Sequence, residues 1–307
     1  MTTKTSDQNR NGVAGFGAFV SSHVVGKGLL RDAWIRLQRD KIALLCIGIV
    51  ALYAAVALMV QMGWLATPWD EVVSGAYQPP SFASYKTILG TDIFGRSVFF
   101  KVLQGTRIAM SVGLVSSLIS IPIGVCLGAI GGYFGGWVDD LVVWVYTTVS
   151  SIPNIMLLIA IAFLLGKGLP AIYVALGATS WVSLARIMRG EFIKHKSRDY
   201  VVAAESIGAS HRSRIFRHIL PNVSHFIIIN LSIQFMTAIK AEVILSFLGL
   251  GVQGQPSWGV MIDDAKLELS RGVWWQLAGA TVAMFFVVLA FNILGDSLRD
   301  ALDPKIK

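Results

Sequence analysis

Residues 108–130 read IAMSVGLVSSLISIPIGVCLGAI, and this stretch decides the fold class because it contains no charged side chain. An α-helix needs about 20 mostly apolar residues to cross the hydrocarbon core of a bilayer. A helix on the surface of a soluble protein would instead carry charged residues along one face, at helical spacing. We therefore predict that residues 108–130 cross a membrane.

Five further stretches have the same apolar character, so we predict an all-α integral membrane protein with six transmembrane helices. These stretches are residues 42–62, 138–165, 169–184, 223–248 and 275–294. Composition agrees, because charged residues make up only 14% of the chain, whereas soluble domains carry about 25%. Such a composition excludes a water-soluble enzyme of this length and a disordered chain. Pro153 lies inside the third stretch, and we expect it to kink that helix.

The positive charges predict how the spans are oriented. Eighteen of the 26 Lys and Arg residues lie before the first span, between the fourth and fifth spans, or after the sixth. With six spans these regions share one side of the membrane, which the positive-inside rule makes cytoplasmic. We therefore predict that both termini are cytoplasmic. The net charge of +8 then reflects topology in the lipid bilayer, and no nucleic acid is expected as a partner.

The predicted spans divide the chain into three regions. Residues 1–41 form a cytoplasmic N-terminal tail, and residues 42–107 hold the first transmembrane helix and a periplasmic segment. Residues 108–307 form a core of five helices, within which residues 189–222 make up the longest cytoplasmic loop.

That loop contains the most specific pattern in the chain. Residues 197–222 read SRDYVVAAESIGASHRSRIFRHILPN. Ser197 and Ser210 can each cap a helix, and Gly208 between them suits a tight turn because glycine adopts left-handed conformations without steric cost. The sequence therefore predicts two short helices joined at Gly208 and held parallel to the membrane.

Two interpretations of this helical pair are open from the residues alone. The first helix places Tyr200, Ala204 and Ile207 on one face, and the small Ala203 beside Ala204 would let a partner's backbone approach closely. This arrangement suits insertion of a helix into a groove of a partner protein. The alternative is an amphipathic hairpin that only covers anionic lipid headgroups.

The same stretch resembles the EAA loop of ABC importer permeases, in which two small residues precede a glycine and a later Leu-Pro pair. Val202 stands where that family has a Glu, so the ion pair of that Glu with an ATPase is in doubt here. The resemblance implies that the residues around the motif couple the chain to an ATPase. These residues are Tyr200, Ala203, Ala204, Gly208, Ala209, Arg217, His218, Leu220 and Pro221.

Three more motifs resemble the second-permease (C-type) subunit of dipeptide and oligopeptide ABC importers. They are LGTDIFGRS at residues 89–97, LSFLGLGVQGQPSWG at residues 245–259 and FNILGDSLRDALDP at residues 291–304. Ser97 occupies a position where that branch usually has Asp. The resemblance implies the MetI-like permease fold, with six transmembrane helices and a cytoplasmic EAA coupling loop, in the bacterial inner membrane.

The resemblance also implies how the work is divided among subunits. Two ATP-binding subunits would supply the energy, a homologous second permease would complete a heterodimer, and a periplasmic solute-binding protein would deliver the solute. This chain would translocate di- and oligopeptides by ATP-driven alternating access. It would be non-catalytic and without a cofactor, and its sequence contains no G-x-x-x-x-G-K-[ST] phosphate-binding loop.

Two charged residues inside the predicted fifth span are candidates for the translocation pathway. Lys240 and Glu242 are two positions apart, so they do not face each other on a helix. Ionisable residues within a membrane are candidates for function. The alternative is that Lys240 extends towards the membrane surface and Glu242 bonds to a neighbouring helix.

Three histidines recur at intervals of seven residues, namely His211, His218 and His225. Such a stripe can hold a metal, but no Cys or carboxylate completes a tetrahedral set. We also expect Pro221 to interrupt the helix between them. The sequence therefore predicts no metal site.

Two other functions stay open at this point. A stand-alone channel or secondary transporter would use the loop only to bind headgroups, although secondary transporters usually contain repeats and none is evident here. An ABC importer for a non-peptide cargo, such as nickel or glutathione, is the other alternative. One permease sequence does not fix the solute, because the binding protein and both permeases select it together.

Overall fold

The computed structural model describes residues 25–302, and the predicted tail before Val25 and the last five residues lie outside that range. No strand forms within residues 25–302, where the β-pairing consists of two isolated bridges. We number the helices in chain order. They are α1 Val25–Arg39, α2 Lys41–Gln61, α3 Val98–Phe134, α4 Gly136–Ser151, α5 Asn154–Leu164, α6 Leu169–Thr179, α7 Val182–Lys196, α8 Asp199–Ser206, α9 His211–Ser213, a π-helical turn Arg214–Ile219, α10 Leu220–Phe247, α11 Trp258–Leu269 and α12 Trp275–Leu302.

Five segments of the described chain are long and apolar enough to cross a membrane. They are Lys41–Gln61, Val98–Phe134, Leu169–Lys196, His211–Phe247 and Trp275–Leu302. Helices α4 and α5 add a sixth crossing if the pair counts as one span, with a bend of 88° between them. The bend falls at Pro153, as predicted, because proline lacks the backbone N–H of a continuous helix and its ring crowds the preceding turn. The fold class is therefore an all-helical, multi-span membrane protein.

The second span begins earlier than the apolar stretch that predicts it. Helix α3 begins at Val98, where the Ser97 hydroxyl accepts a hydrogen bond from the Phe100 N–H at 3.3 Å. Ser97 thus caps the helix, a task that Ser and Asp perform about equally well. Lys101 interrupts the apolar pattern near this end, but its side chain is buried by protein. The charge therefore does not end the helix.

A buried charged cluster closes the end of the molecule opposite the 197–222 loop. The Asp92 carboxylate accepts hydrogen bonds from Arg96 Nε at 2.8 Å and Lys101 Nζ at 3.2 Å, and Lys101 also donates to Gln276 Oε1 at 2.7 Å. Burial alone would raise the pKa of Asp92, but Lys101 and Arg96 outweigh it and hold that pKa below its ordinary value. The LGTDIFGRS motif thus joins the start of α3 to the start of α12.

Helices α3 and α7 pack with their backbones unusually close, through glycines spaced four residues apart on α3. A Cβ on Gly124 would lie 2.9 Å from the Trp181 carbonyl oxygen, and one on Gly128 would lie 2.5 Å from that of Ala185. A Cβ on Gly132 would likewise lie too close to the Arg189 carbonyl oxygen. Small residues at such spacing let transmembrane helices approach closely. The two helices run in the same direction, so the later part of α7, and the loop that follows it, lie beside the end of α3.

Candidate functional site

The 197–222 loop contains the turn that the sequence predicts at Gly208. Helix α8 ends in a Schellman motif, in which the Gly208 N–H donates to the Glu205 carbonyl at 2.9 Å and the Ala209 N–H to that of Ala204 at 3.0 Å. Gly208 has a φ of +86°, which disfavours residues with a side chain, and open space surrounds its Cα. Glycine is therefore needed here for its backbone conformation.

The predicted caps of the two loop helices have different outcomes. Ser210 caps the second helix, because its hydroxyl accepts a hydrogen bond from the Ser213 N–H at 3.3 Å. The capping role predicted for Ser197 is wrong, since α7 continues through Lys196 and Arg198 occupies the N-cap position of α8. Residues 189–196 of the predicted loop accordingly lie on α7.

The second loop helix continues into the fifth span, so the predicted interruption at Pro221 is wrong. A π-helical turn, Arg214–Ile219, joins α9 to α10, and Pro221 lies in the first turn of α10. A π turn is wider than an α turn, and this width accommodates the proline ring and its missing N–H. The described residues contain no group of three His, Cys, Asp or Glu side chains placed to hold a metal.

Two charged residues connect the two arms of the loop. Arg214 Nη1 lies 2.5 Å from Glu205 Oε1, and Arg214 Nη2 lies 3.0 Å from His211 Nδ1. The Tyr133 hydroxyl, at the end of α3, lies 2.9 Å from the same His211 nitrogen. This network fixes the loop to the rest of the molecule. The sequence reasoning missed it, although an acid and a base on opposite sides of a predicted turn were a usable signal.

One face of α8 is buried and the other is exposed. Ala204 is buried, and the half-buried Tyr200 places its hydroxyl 2.7 Å from His195 Nδ1. Burial raises the pKa of the Tyr200 hydroxyl, which therefore stays protonated at neutral pH. Ile207 does not share this face, because it lies at the helix end and is 85% exposed.

Three large apolar side chains of the loop are exposed, Val202, Ile207 and Phe216, and we call this set the tip of the loop. Ala203, from the small-residue pair, is exposed beside it. The other residues of the predicted coupling set are exposed or half-buried around the tip. They are Ala209, Arg217, His218, Leu220 and Pro221.

The two charged residues predicted for the pathway point to different sides of α10. Lys240 is exposed. Glu242 is 1% exposed, and its Oε1 accepts a hydrogen bond from the Ser246 hydroxyl at 2.6 Å. The structure therefore does not bring the two side chains together, and their role in the pathway stays a prediction.

A cleft of about 430 Å³ lies between the α4–α5 bend, the α6–α7 junction and α10. Neither Lys240 nor Glu242 is among the residues that line the cleft, although Ala241 between them is. Most of the polar lining residues carry hydroxyl or amide groups, and one is charged. They are Ser150, Asn154, Thr179, Ser180, Ser183, Arg186, Asn230, Gln234 and Thr237.

The sequence reasoning missed this cleft. Asn230, Gln234 and Thr237 follow each other at intervals of four and three residues within an otherwise apolar span. That spacing places them on one face of a helix. This polar stripe was visible in the sequence. It indicates a cleft only in the structure, where the bend at Pro153 and the α6–α7 junction line the same cleft.

Comparison with known families and proteins adds sequence evidence. The family described as "Binding-protein-dependent transport system inner membrane component" matches residues 121–307. The dipeptide transport system permease protein DppC of Bacillus subtilis (strain 168) is 37% identical, over 90% of this chain and 86% of that protein. The glutathione transport system permease protein GsiD of Pectobacterium atrosepticum is 36% identical, over 90% and 91% of the two chains. The oligopeptide transport system permease protein OppC of Bacillus subtilis is 32% identical, over 91% and 90%.

A solved structure supports the fold independently. The MetNI methionine ABC transporter, in inward-facing conformations, contains a chain that superposes with a TM-score of 0.52 at 18% identity. The match covers 66% of this chain and 94% of the other. At that identity the likeness concerns the fold alone, and it confirms the predicted MetI-like arrangement of helices.

Proposed function

The chain belongs to the family of binding-protein-dependent transport system inner membrane components, and we propose that it is the permease subunit of an ABC importer for di- and oligopeptides. The observation that carries this proposal is the 37% identity to a dipeptide permease over almost the whole chain. A stand-alone channel or secondary transporter is not favoured, because the relatives that cover the chain are permease proteins of multi-component transport systems.

Glutathione is the second candidate cargo. It is favoured by the 36% identity to a glutathione permease, which nearly equals the identity to the dipeptide permease. Glutathione was grouped above with non-peptide cargoes, but it is itself a small peptide with free carboxylates, so the two candidates belong to one chemical class. Neutral hydroxyl and amide groups in the cleft suit peptide backbones of either kind.

The partners follow from this role. Of the two ATP-binding subunits, one would bind the exposed tip formed by Val202, Ile207 and Phe216, in the manner of a helix entering a groove, and the other would bind the second permease. A homologous second permease would complete the pathway, and a periplasmic solute-binding protein would deliver the solute. The loop and both termini would face the cytoplasm, as the distribution of Lys and Arg predicts. The chain itself would remain non-catalytic.

The continuity of α9, the π turn and α10 supports a direct mechanical route from the ATPases to the solute. This helical segment runs from His211 past the cleft residues Asn230 and Thr237. At 1.5 Å per residue the loop end lies about 28 Å from Asn230 along the axis. A movement of the loop therefore displaces the cleft wall without an intervening flexible joint. We propose that alternating access uses this segment.

Reconstitution tests the proposal. The chain is combined in proteoliposomes with its second permease, the two ATPases and the binding protein, and uptake of a radiolabelled dipeptide, tripeptide or glutathione is measured. We expect uptake that needs ATP and the binding protein. An ATPase variant that binds ATP but does not hydrolyse it is the control. Uptake by the two permeases alone would contradict the ABC importer role and support a channel.

A further inference from the structure

The cleft contains one cationic side chain among its lining residues, Arg186 on α7. The other polar groups of the lining are neutral hydroxyls and amides. We propose that Arg186 binds the carboxylate of the transported solute, so that the cleft selects peptides with a free C-terminus. This inference rests on the proposed function and adds the chemical group that the pathway recognises.

The surroundings of Arg186 leave its guanidinium available. Arg186 Nη2 donates to the Ser150 hydroxyl at 2.6 Å, and the guanidinium lies 5.0 Å from the centre of the Tyr146 ring. Within residues 25–302 no carboxylate pairs with it. A guanidinium offers five N–H donors in a planar fork, so most of them remain free for a ligand.

The neighbouring arginine on the same helix, Arg189, differs from Arg186 because a carboxylate compensates its charge. Arg189 lies three residues further along α7, and it makes a bidentate pair with Asp139, with both N···O distances at 2.5 Å. Arg189 therefore holds α7 against α4. Arg186 holds only a hydroxyl and an aromatic face, although both residues lie in the candidate span Leu169–Lys196. By the distribution of Lys and Arg, Arg186 lies towards the cytoplasmic end of this segment, and without a carboxylate partner its guanidinium is available to a solute carboxylate.

The chemistry of the cleft matches one end of a peptide. A peptide with a free C-terminus carries a planar carboxylate, which an arginine fork binds with two parallel hydrogen bonds. Asn230 and Gln234, on helix α10, donate through their amide nitrogens to the Phe226 carbonyl and the Ser120 hydroxyl. Their amide oxygens suit the N–H groups that all peptides share. Recognition of this kind binds the C-terminal carboxylate and the backbone of the solute and does not depend on its side chains.

The test compares a dipeptide with its C-terminal amide in the complete reconstituted transporter. Each uptake rate is divided by the rate of the same peptide in the wild type, so the preference of the binding protein cancels. For Arg186→Gln we expect uptake of the acid to fall about tenfold, as for loss of one charge-assisted interaction, and uptake of the amide to change little. Arg186→Lys keeps the charge without the fork and should fall between.

Arg189→Gln serves as the comparison for a structural role. It loosens the α4–α7 contact, so it should lower uptake of the acid and of the amide by the same factor. An equal loss of both peptides in Arg186→Gln, or no loss, would overturn the inference. If the wild type transports neither peptide with ATP, the proposed function fails as well, and the two failures are thereby distinguished.

A second variant covers the case in which Arg186→Gln does not assemble. Ser150→Asp places a carboxylate beside the guanidinium, where the Ser150 hydroxyl now lies at 2.6 Å. This internal carboxylate should occupy Arg186 and lower uptake of the acid selectively, while the arginine itself stays in place. Unchanged selectivity in that variant would count against carboxylate binding.

Discussion

Glu205 and Arg214 form an ion pair across the Gly208 turn, with Oε1 and Nη1 at 2.5 Å. Their exposures differ greatly, because Glu205 is open to solvent whereas Arg214 is buried and also contacts His211 and Tyr133. Exposed ion pairs contribute about 0–1 kcal/mol, so the pair with Glu205 alone adds little stability. The main effect of the pair is geometric, because it connects the two arms of the loop and restrains the angle between them.

We predict that Arg214→Gln uncouples the loop more strongly than Glu205→Gln. The first substitution removes the contacts to Glu205 and Tyr133 together, whereas the second leaves Arg214 on His211 and Tyr133. Uptake per ATP hydrolysed, measured in proteoliposomes, should fall several-fold in Arg214→Gln and less than twofold in Glu205→Gln. Arg212→Gln, an exposed change on the same helix, is the control. Equal effects of all three would contradict this anchoring.

A second prediction concerns Gly208, whose φ of +86° disfavours any side chain although space is open around it. Gly208→Ala should destabilise the turn by about 1–2 kcal/mol through backbone strain alone. Gly208→Trp adds bulk at the exposed tip and should abolish uptake while ATP hydrolysis continues. Gly166→Trp provides the matched control, since that glycine has a φ of +90° with open space and lies outside the 197–222 loop. Wild-type uptake by an assembled Gly208→Trp transporter would refute the coupling role.

A third prediction compares a glycine in the α3–α7 contact with an exposed glycine on α7. Gly128→Ala places a Cβ 2.5 Å from the Ala185 carbonyl oxygen, so the backbones must separate, at a cost of about 1–3 kcal/mol. Gly190→Ala on α7 meets no atom within 4 Å, and alanine is the better helix former by up to about 1 kcal/mol. Thermal unfolding of the purified subunit in detergent should therefore show a lower Tm for Gly128→Ala and an unchanged or higher Tm for Gly190→Ala. A lower Tm in both would contradict the packing argument.

A fourth prediction separates the two possible roles of Glu242. Its buried Oε1 accepts a hydrogen bond from the Ser246 hydroxyl, which the amide oxygen of Gln can also accept. Glu242→Gln should therefore keep assembly and uptake, whereas Glu242→Leu leaves the hydroxyl unpaired and costs about 1–3 kcal/mol. Assembly is measured by size-exclusion chromatography and uptake in proteoliposomes. Loss of uptake in a well-assembled Glu242→Gln variant would instead establish a role of the carboxylate in the pathway.

The sequence predicted those features that depend on neighbouring residues. The uncharged stretch 108–130 indicated a span, Pro153 indicated a bend, and Gly208 with Ser210 indicated a capped turn. Each of these features depends on residues that are close together in the chain. Ser197 failed as a cap for a related reason, because two helices competed for it and the longer α7 extended past the expected boundary.

The cleft was not predictable in the same way. Arg186 and Ser150 are 36 residues apart in the chain, and the packing of α4 against α7 brings them together. Pro221 alone predicted an interruption of the helix. The structure instead has a π turn before it, and the helix continues through this turn. Charge within a predicted span led to Lys240 and Glu242, and this cue did not reach Arg186, which lies beyond the predicted fourth span of residues 169–184.

The bend at Pro153 has a further consequence for how the cleft changes shape. Helix α4 is attached to α7 by the Arg189–Asp139 pair, whereas α5 packs on α6 through Leu158 and Ile172. The two halves of the bent pair therefore pack against different halves of the segment Leu169–Lys196. Pro153 has no N–H with which to continue the helix between them, so the chain can rotate there without breaking a backbone hydrogen bond. A rotation at Pro153 would change the width of the cleft, because Ser150 and Asn154 line it on either side of the bend.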